Sequence, residues 1–236
     1  MVLPLYLAMN ASEFRTASIP HHWGWMACHF SPWGPGISNI PGILPPGGML
    51  ILNDRLPCQG HSADLAAAQI AEAAIRLDCE SILLDFQRPD SKETALVAAA
   101  IVAQTSVPVA VSEFYASPLS CPVFLSPAPL HVPLAAHLDP WKGREIWLEA
   151  ALCRQTVTVT PDGCTASPFF PPENPGEGFY DETLKCRYRT RILPDKAEFI
   201  LFDTPESLEK KLDLAHELGV TRAVGLWQEL SGFLKK

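Results

Sequence analysis

The chain has 236 residues, 47% hydrophobic and 19% charged, which is enough apolar material for one sizeable core and suits a single domain over residues 1–236. A formal net charge of −8 and a pI near 5.3 argue against nucleic-acid and membrane partners, both of which need a basic face to meet phosphates. Seven widely spaced cysteines without a C-x-x-C pair argue against a disulfide framework and a zinc site, and no cofactor is indicated.

The opening run from Met1 to Asn10 is apolar but has no basic residue ahead of it, so it reads as a strand and not as a signal peptide. The Ala-rich stretch from Leu65 to Ile75 is interrupted by Gln69 and Glu72 and is too short to cross a bilayer. A cytoplasmic location is the expectation.

Eight short aliphatic runs bounded by Pro, Gly, Asn or Asp read as buried parallel strands: Leu3–Ala8, His22–Phe30, Gly48–Asn53, Ser81–Phe86, Val107–Ser112, Cys121–Ser126, Glu145–Ala151 and Ala223–Trp227. Helical patterns lie between several of them, over Ser62 to Leu77 and Ser91 to Gln104, each opened by a Ser cap, and over Pro205 to Leu218, closed by Gly219. Strand and helix alternating in this way predict an α/β fold, a compact (β/α)8 TIM barrel.

Two stretches depart from the repeat. Ser31 to Gly48 is crowded with Pro and Gly and has no helical period, so loops are expected to replace one or two early helices and make the barrel irregular there. From about 152 to 203, Thr156 to Thr160 followed by Asp162-Gly163 predicts a hairpin, with further β runs at Lys185–Arg191 and Glu198–Phe202. This reads as a small antiparallel insertion between the seventh and eighth barrel strands, with Pro168 to Gly178 as an exposed loop.

The C-terminal third resembles the family-18 glycoside hydrolases, which include chitinases and spore N-acetylglucosaminidases. Arg144 to Leu152 is similar to that family's seventh strand. Phe199 to Leu208, with Asp203 and Ser207, followed by Lys211 to Ala215, resembles its aromatic-Asp, Ser, Lys and helix segment. Gly219 to Trp227 resembles its final strand, ending in a Trp at the barrel floor. The likeness is weak over the first seventy residues.

Where the family carries D-x-x-D-x-D-x-E on its fourth strand, this chain reads Glu80-Ser81-Ile82-Leu83-Leu84-Asp85-Phe86-Gln87. The resemblance implies that Gln87 stands at the catalytic acid and Asp85 at the aspartate that orients the substrate's N-acetyl group, while Leu83 replaces an aspartate. In the substrate-assisted reaction so implied, the acid protonates the glycosidic oxygen as the acetamido oxygen attacks the anomeric carbon. An amide cannot supply that proton, and general acid catalysis contributes roughly 10² to 10⁴-fold in rate. Gln87 can still exchange hydrogen bonds with a sugar.

In a barrel of this kind the C-terminal ends of the strands form the active face. Asn53, Asp54, Asp85, Gln87, Arg88, Glu113, Tyr115, Glu149, Trp227, Gln228 and Glu229 fall at or near those ends. Of these, Asp85, Gln87, Tyr115, Glu149, Trp227 and Gln228 are the candidate ligand-binding residues, and Glu113 and Glu149 the alternative acid and base. Each also has a plainer reading: Asp85 as a cap for the loop before Pro89, Glu113 and Glu149 as solvated or ion-paired groups, Trp227 as a core residue.

His21, His22 and His29 with Trp23 and Trp25 form a further cluster, but adjacent histidines on a strand point apart, which disfavours a metal site. Stacking of a sugar on Trp23, Trp25 or Trp33 fits better. The expectation is thus a barrel without the acid that binds an N-acetylglucosamine-type glycan or another small polar ligand. Its alternatives are a hydrolase of altered acid and base, with two carboxylates facing across the cleft and one pKa raised, and a structural or regulatory barrel with no ligand.

Overall fold

A computed structural model describes residues 3–58, 60–170 and 178–232. The first half runs β1 (Leu5–Met9), α1 (Ala11–Thr16), β2 (Trp23–Phe30), β3 (Ile37–Ser38), β4 (Met49–Asn53), α2 (Ala63–Arg76), β5 (Ser81–Asp85) and α3 (Lys92–Gln104). There follow β6 (Val109–Ser112), α4 (Glu113–Ala116), β7 (Val123–Leu125), α5 (Leu134–Leu138) and β8 (Ile146–Glu149). Strands β9 (Arg154–Thr160), β10 (Gly163–Ala166), β11 (Phe179–Asp181), β12 (Cys186–Ile192) and β13 (Ala197–Phe202) precede α6 (Pro205–Glu217), β14 (Val220–Leu226) and α7 (Trp227–Leu230).

Strands β1, β2, β4, β5, β6, β7, β8 and β14 are parallel and form a closed (β/α)8 barrel, because β1 pairs with β2 on one side and β14 on the other. Each overlaps its predicted run, and six lie wholly inside; β1 runs one residue further, to Met9, and β14 begins three residues earlier, at Val220. Their period of two divides the core: Leu50, Leu52, Ile82, Leu84, Val111 and Leu148 point out toward the helices, while Tyr6, Met49, Ile51, Leu83, Phe124, Trp147 and Val224 fill the barrel. Alanines on α2 and α3, such as Ala66, Ala67, Ala73 and Ala98, are buried at that outer layer and let the helices approach the sheet closely.

The helix starts follow the Ser signals. Ser62 Oγ accepts the Leu65 N–H and Ser91 Oγ the Thr94 N–H, each satisfying a donor left over in the first turn. Between Ser31 and Gly48 the regular structure is limited to the two residues of β3, paired antiparallel to β2. The expected loop therefore stands where a barrel helix would be.

The insertion is a separate antiparallel sheet ordered β10-β9-β13-β12-β11. The hairpin joins β9 to β10 at Asp162-Gly163, with Gly163 at φ +148°, a conformation that side chains rarely adopt. Leu130, Cys153, Val157, Cys186 and Leu201 form the apolar cluster under this sheet. Residues 171–177 of the expected loop lie outside the described residues.

The sheet is pinned to the barrel by three residues of the aromatic-Asp, Ser, Lys segment. Lys211 Nζ reaches Asp203 Oδ1 at 2.7 Å, Ser207 Oγ donates to the same oxygen at 3.4 Å, and the Cys153 N–H donates to Oδ2 at 3.2 Å. Asp203 is 2% exposed and Lys211 9%, so the ion pair is buried. Among the described residues no helix is long and apolar enough to cross a membrane.

Candidate functional site

The barrel's inward tracks run on past the core into an open cleft of about 420 Å³ at the C-terminal ends of the strands. Two residues beyond Ala8, Ile51, Leu83, Trp147 and Val224 in the barrel lie Asn10, Asn53, Asp85, Glu149 and Leu226, all of which line it. The same period carries Gln87 into the lining after Asp85. Register places Asn53 beside Asp85 and Val224 beside Glu149.

The Gln87 side-chain amide donates to Oδ1 of Asp85, which leaves the Gln87 side-chain carbonyl as an acceptor. Burial pushes the Asp85 carboxyl above its ordinary range, the Gln87 hydrogen bond opposes this, and nearby Asp54 adds to the rise. Glu149 is pushed up to about 7, first by burial and then by the neighbouring carboxylates Asp85, Glu229 and Glu113. Near neutral pH Glu149 therefore keeps its proton far more readily than an ordinary glutamate does. Glu229 is raised too, by burial, against a hydrogen bond from the Leu152 N–H.

Of the sequence candidates, Asp85, Gln87, Glu149 and Asn53 come together in the lining. Glu113 sits at the end of β6, accepts the Ser126 N–H at 3.2 Å, and acts on Glu149 only through its charge. Tyr115 lies outside the lining: its hydroxyl donates to the Arg88 carbonyl and accepts the Ser91 N–H, bracing the loop after β5. Trp227 packs against the layer between barrel and helices, because Leu226 takes the inward position at the end of β14. Gln228, on α7, is exposed and also lies outside the lining.

Four polar lining residues stand outside the strand-end set read from the sequence: Asn10, His29, Asn39 and Arg55. His29 Nδ1 lies 2.7 Å from the Phe30 carbonyl and Nε2 lies 3.0 Å from Asn39 Nδ2, so both ring nitrogens are engaged and the ring is held in place at the cleft wall. Simple alternation would put His29 on the face of Trp25. A bulge between Trp25 and Cys28 in the pairing of β2 with β4 shifts the phase, so His29, three residues after inward-facing Met26, also lines the cleft. Among the described residues no group of three or more His, Cys, Asp or Glu is placed to hold a metal ion.

No family model and no curated protein matches the sequence. Solved structures match over nearly the whole chain. A family-18 N-acetylglucosaminidase from Paenibacillus barengoltzii shares 11% identity at a TM-score of 0.60, covering 94% of each chain. The spore cortex-lytic enzyme SleL of Bacillus megaterium QM B1551 shares 12% at 0.56, covering 95% of this chain and 70% of its own. A class V chitinase from Nicotiana tobaccum, a Glu-to-Gln mutant in complex with NAG4, shares 11% at 0.59, covering 95% and 93%. At such identities the likeness is one of fold, and the chain has the barrel fold of the family-18 glycoside hydrolases that its strand motifs resemble.

Proposed function

We propose that this barrel binds an N-acetylglucosamine-type glycan and does not hydrolyse it by the family's route. The observation that carries the reading is the Gln87–Asp85 pair in the cleft, an amide hydrogen-bonded to a carboxylate where the resemblance expects an acid beside one. Asp85 remains to orient an acetamido group, and the Asn10 side-chain N–H groups, the Asn39 side-chain carbonyl and the Gln87 side-chain carbonyl, which the cap and the pairs with His29 and Asp85 do not use, supply donors and acceptors for sugar hydroxyls. The Nicotiana tobaccum chitinase holding NAG4 as a Glu-to-Gln mutant supports binding in a cleft of this fold.

A second reading rests on Glu149. A carboxyl held near 7 in the same cleft as Asp85 has the pKa of a general acid at neutral pH, which favours a hydrolase of altered geometry.

Turnover of a fluorogenic N-acetylglucosamine oligomer by the native protein, with calorimetric titration of the unlabelled oligomer, separates the readings. Binding without turnover is expected. Turnover abolished by both Asp85→Asn and Glu149→Gln would establish the second reading. No binding would leave a structural or regulatory barrel.

A further inference from the structure

Charge is unevenly distributed along the cleft. Among the described residues that line it, Asp85 and Glu149 carry carboxyls and Arg55 the one guanidinium. Asp85 and Glu149 are half-buried at the ends of their strands, whereas Arg55 is exposed. Asn53 and Asp85 are register partners, and two residues beyond them Arg55 and Gln87 line the cleft in turn. The carboxyls therefore belong to its depth and the guanidinium to its rim. The charges that act on Asp85 and Glu149 are all those of other carboxylates, so Arg55 stands apart from both.

Arg55 is held by its backbone and not by its side chain. Its N–H donates to Asn53 Oδ1 at 3.1 Å, and Asn53 is itself fixed by donating to the Met26 carbonyl at 3.0 Å. The Arg55 carbonyl accepts from Arg88 Nη2 at 2.7 Å, and the Arg88 N–H rests on Asp54. Other arginines are engaged by the fold: Arg76 by the carbonyls of Pro41 and Gly42, Arg144 by those of Ala116, Leu119 and Cys121, Arg222 by Glu80 and Ser81. Among the described residues the Arg55 guanidinium meets neither a hydrogen-bond acceptor nor a carboxylate. Its N–H donors form a planar fork that matches two oxygens of one anionic group. A solvated surface arginine would need no such partner, but this one lines the same cleft as Asp85 and Gln87.

Building on the proposed glycan-binding reading, we propose that the ligand is an acidic amino sugar, whose carboxylate or phosphate pairs with Arg55 at the rim while its acetamido group meets Asp85 in the depth. The two opposite charges set the direction of the sugar in the cleft. A reversed sugar would bring its anion against Asp85 and Glu149 and leave Arg55 without a partner.

The test is calorimetric titration of N-acetylglucosamine, N-acetylmuramic acid and N-acetylglucosamine 6-phosphate into the native protein, Arg55→Ala and Arg55→Lys, whose folding is checked by thermal melting. At least one acidic sugar is expected to bind about tenfold or more tighter than the neutral one, a cautious share of what charge-assisted hydrogen bonds contribute. A preference for the muramic acid assigns a carboxylate, and a preference for the 6-phosphate assigns a phosphate. Arg55→Ala should lose the advantage of acidic over neutral sugar, and Arg55→Lys, with a charge but no fork, should keep only part of it. Acidic sugars binding no tighter than the neutral one, or an advantage that survives Arg55→Ala, would overturn the inference and leave the glycan-binding reading standing. So would a fall in Arg55→Ala shared equally by all three sugars, or binding of the neutral oligomer alone. Binding of none of the three sugars, nor of the oligomer, would remove the glycan reading and this inference with it.

Discussion

Asp54, buried at the end of β4, holds Gln87 by its backbone: Oδ1 accepts the Gln87 N–H at 3.0 Å, while Oδ2 accepts the Arg88 N–H at 2.8 Å. The loop that presents Gln87 to the cleft is thus fastened to the neighbouring strand by a carboxylate fork. Asp54→Ala should cost about 2–3 kcal/mol in denaturant unfolding, since two N–H groups lose a charged acceptor. It should also weaken sugar binding measured by calorimetry, and Asp54→Asn, keeping one acceptor, should fall between.

Glu149 makes stability depend on pH in a definite direction. Its folded pKa of about 7 exceeds the ordinary 4.5, so the folded state binds the proton more tightly than the unfolded chain. Stability from this group is fully present below pH 4.5, declines as pH rises toward about 7, and is flat above. Glu149→Gln removes that decline, and thermal melts should show a gain of up to about 3 kcal/mol at pH 8 with little change at pH 4.

Lys211 is the counter-ion of a carboxylate that is almost wholly enclosed. Lys211→Met strands the Asp203 charge and should destabilise the protein by about 3–5 kcal/mol at neutral pH. Burial already pushes Asp203 upward, against the pull of Lys211, so without the lysine it should take up a proton more readily. The loss in Lys211→Met should accordingly shrink at acid pH, and Asp203→Leu added to it should recover only part of the stability, because the Cys153 N–H loses its acceptor. Urea titrations of the single and double variants at two pH values check this.

Gly225 lines the cleft where the backbone of β8 passes close by. A Cβ there would lie 2.3 Å from Leu230 Cδ1 and 2.4 Å from the Ala150 carbonyl oxygen, and the second contact cannot rotate away. Gly225→Ala should lower stability by roughly 1–3 kcal/mol, read as a fall in melting temperature.

The barrel was legible because parallel strands buried on both faces leave short aliphatic runs, and because Ser62 and Ser91 mark helix starts by a local bond that needs no tertiary help. The Asp203, Ser207 and Lys211 spacing was visible as part of a resemblance, but its meaning as the buried fastening of the inserted sheet needed the fold. Within the cleft, Asp85, Gln87 and Glu149 followed from their places at strand ends. His29 was hidden by the bulge in β2, which changes the phase of alternation without any Gly or Pro to signal it. Trp227 and Tyr115 were drawn toward the cleft by the same strand-end rule, yet one residue of phase and one backbone hydrogen bond direct them elsewhere. Arg55 and Asn39 come from loops, whose course no periodicity records.

Closure of the barrel joins Leu5–Ala8 to Ala223–Leu226, the first strand to the last. Until that seam forms, β1 and β8 each carry a row of unpaired amides and carbonyls along an open edge, and the inserted sheet stands between β8 and the strand that must cover it. Assembly is therefore governed by a contact of very high sequence separation, the kind that slows folding and leaves an intermediate open to pairing with other chains. The closure that leaves the finished barrel without an open edge is also what makes its unfinished form vulnerable.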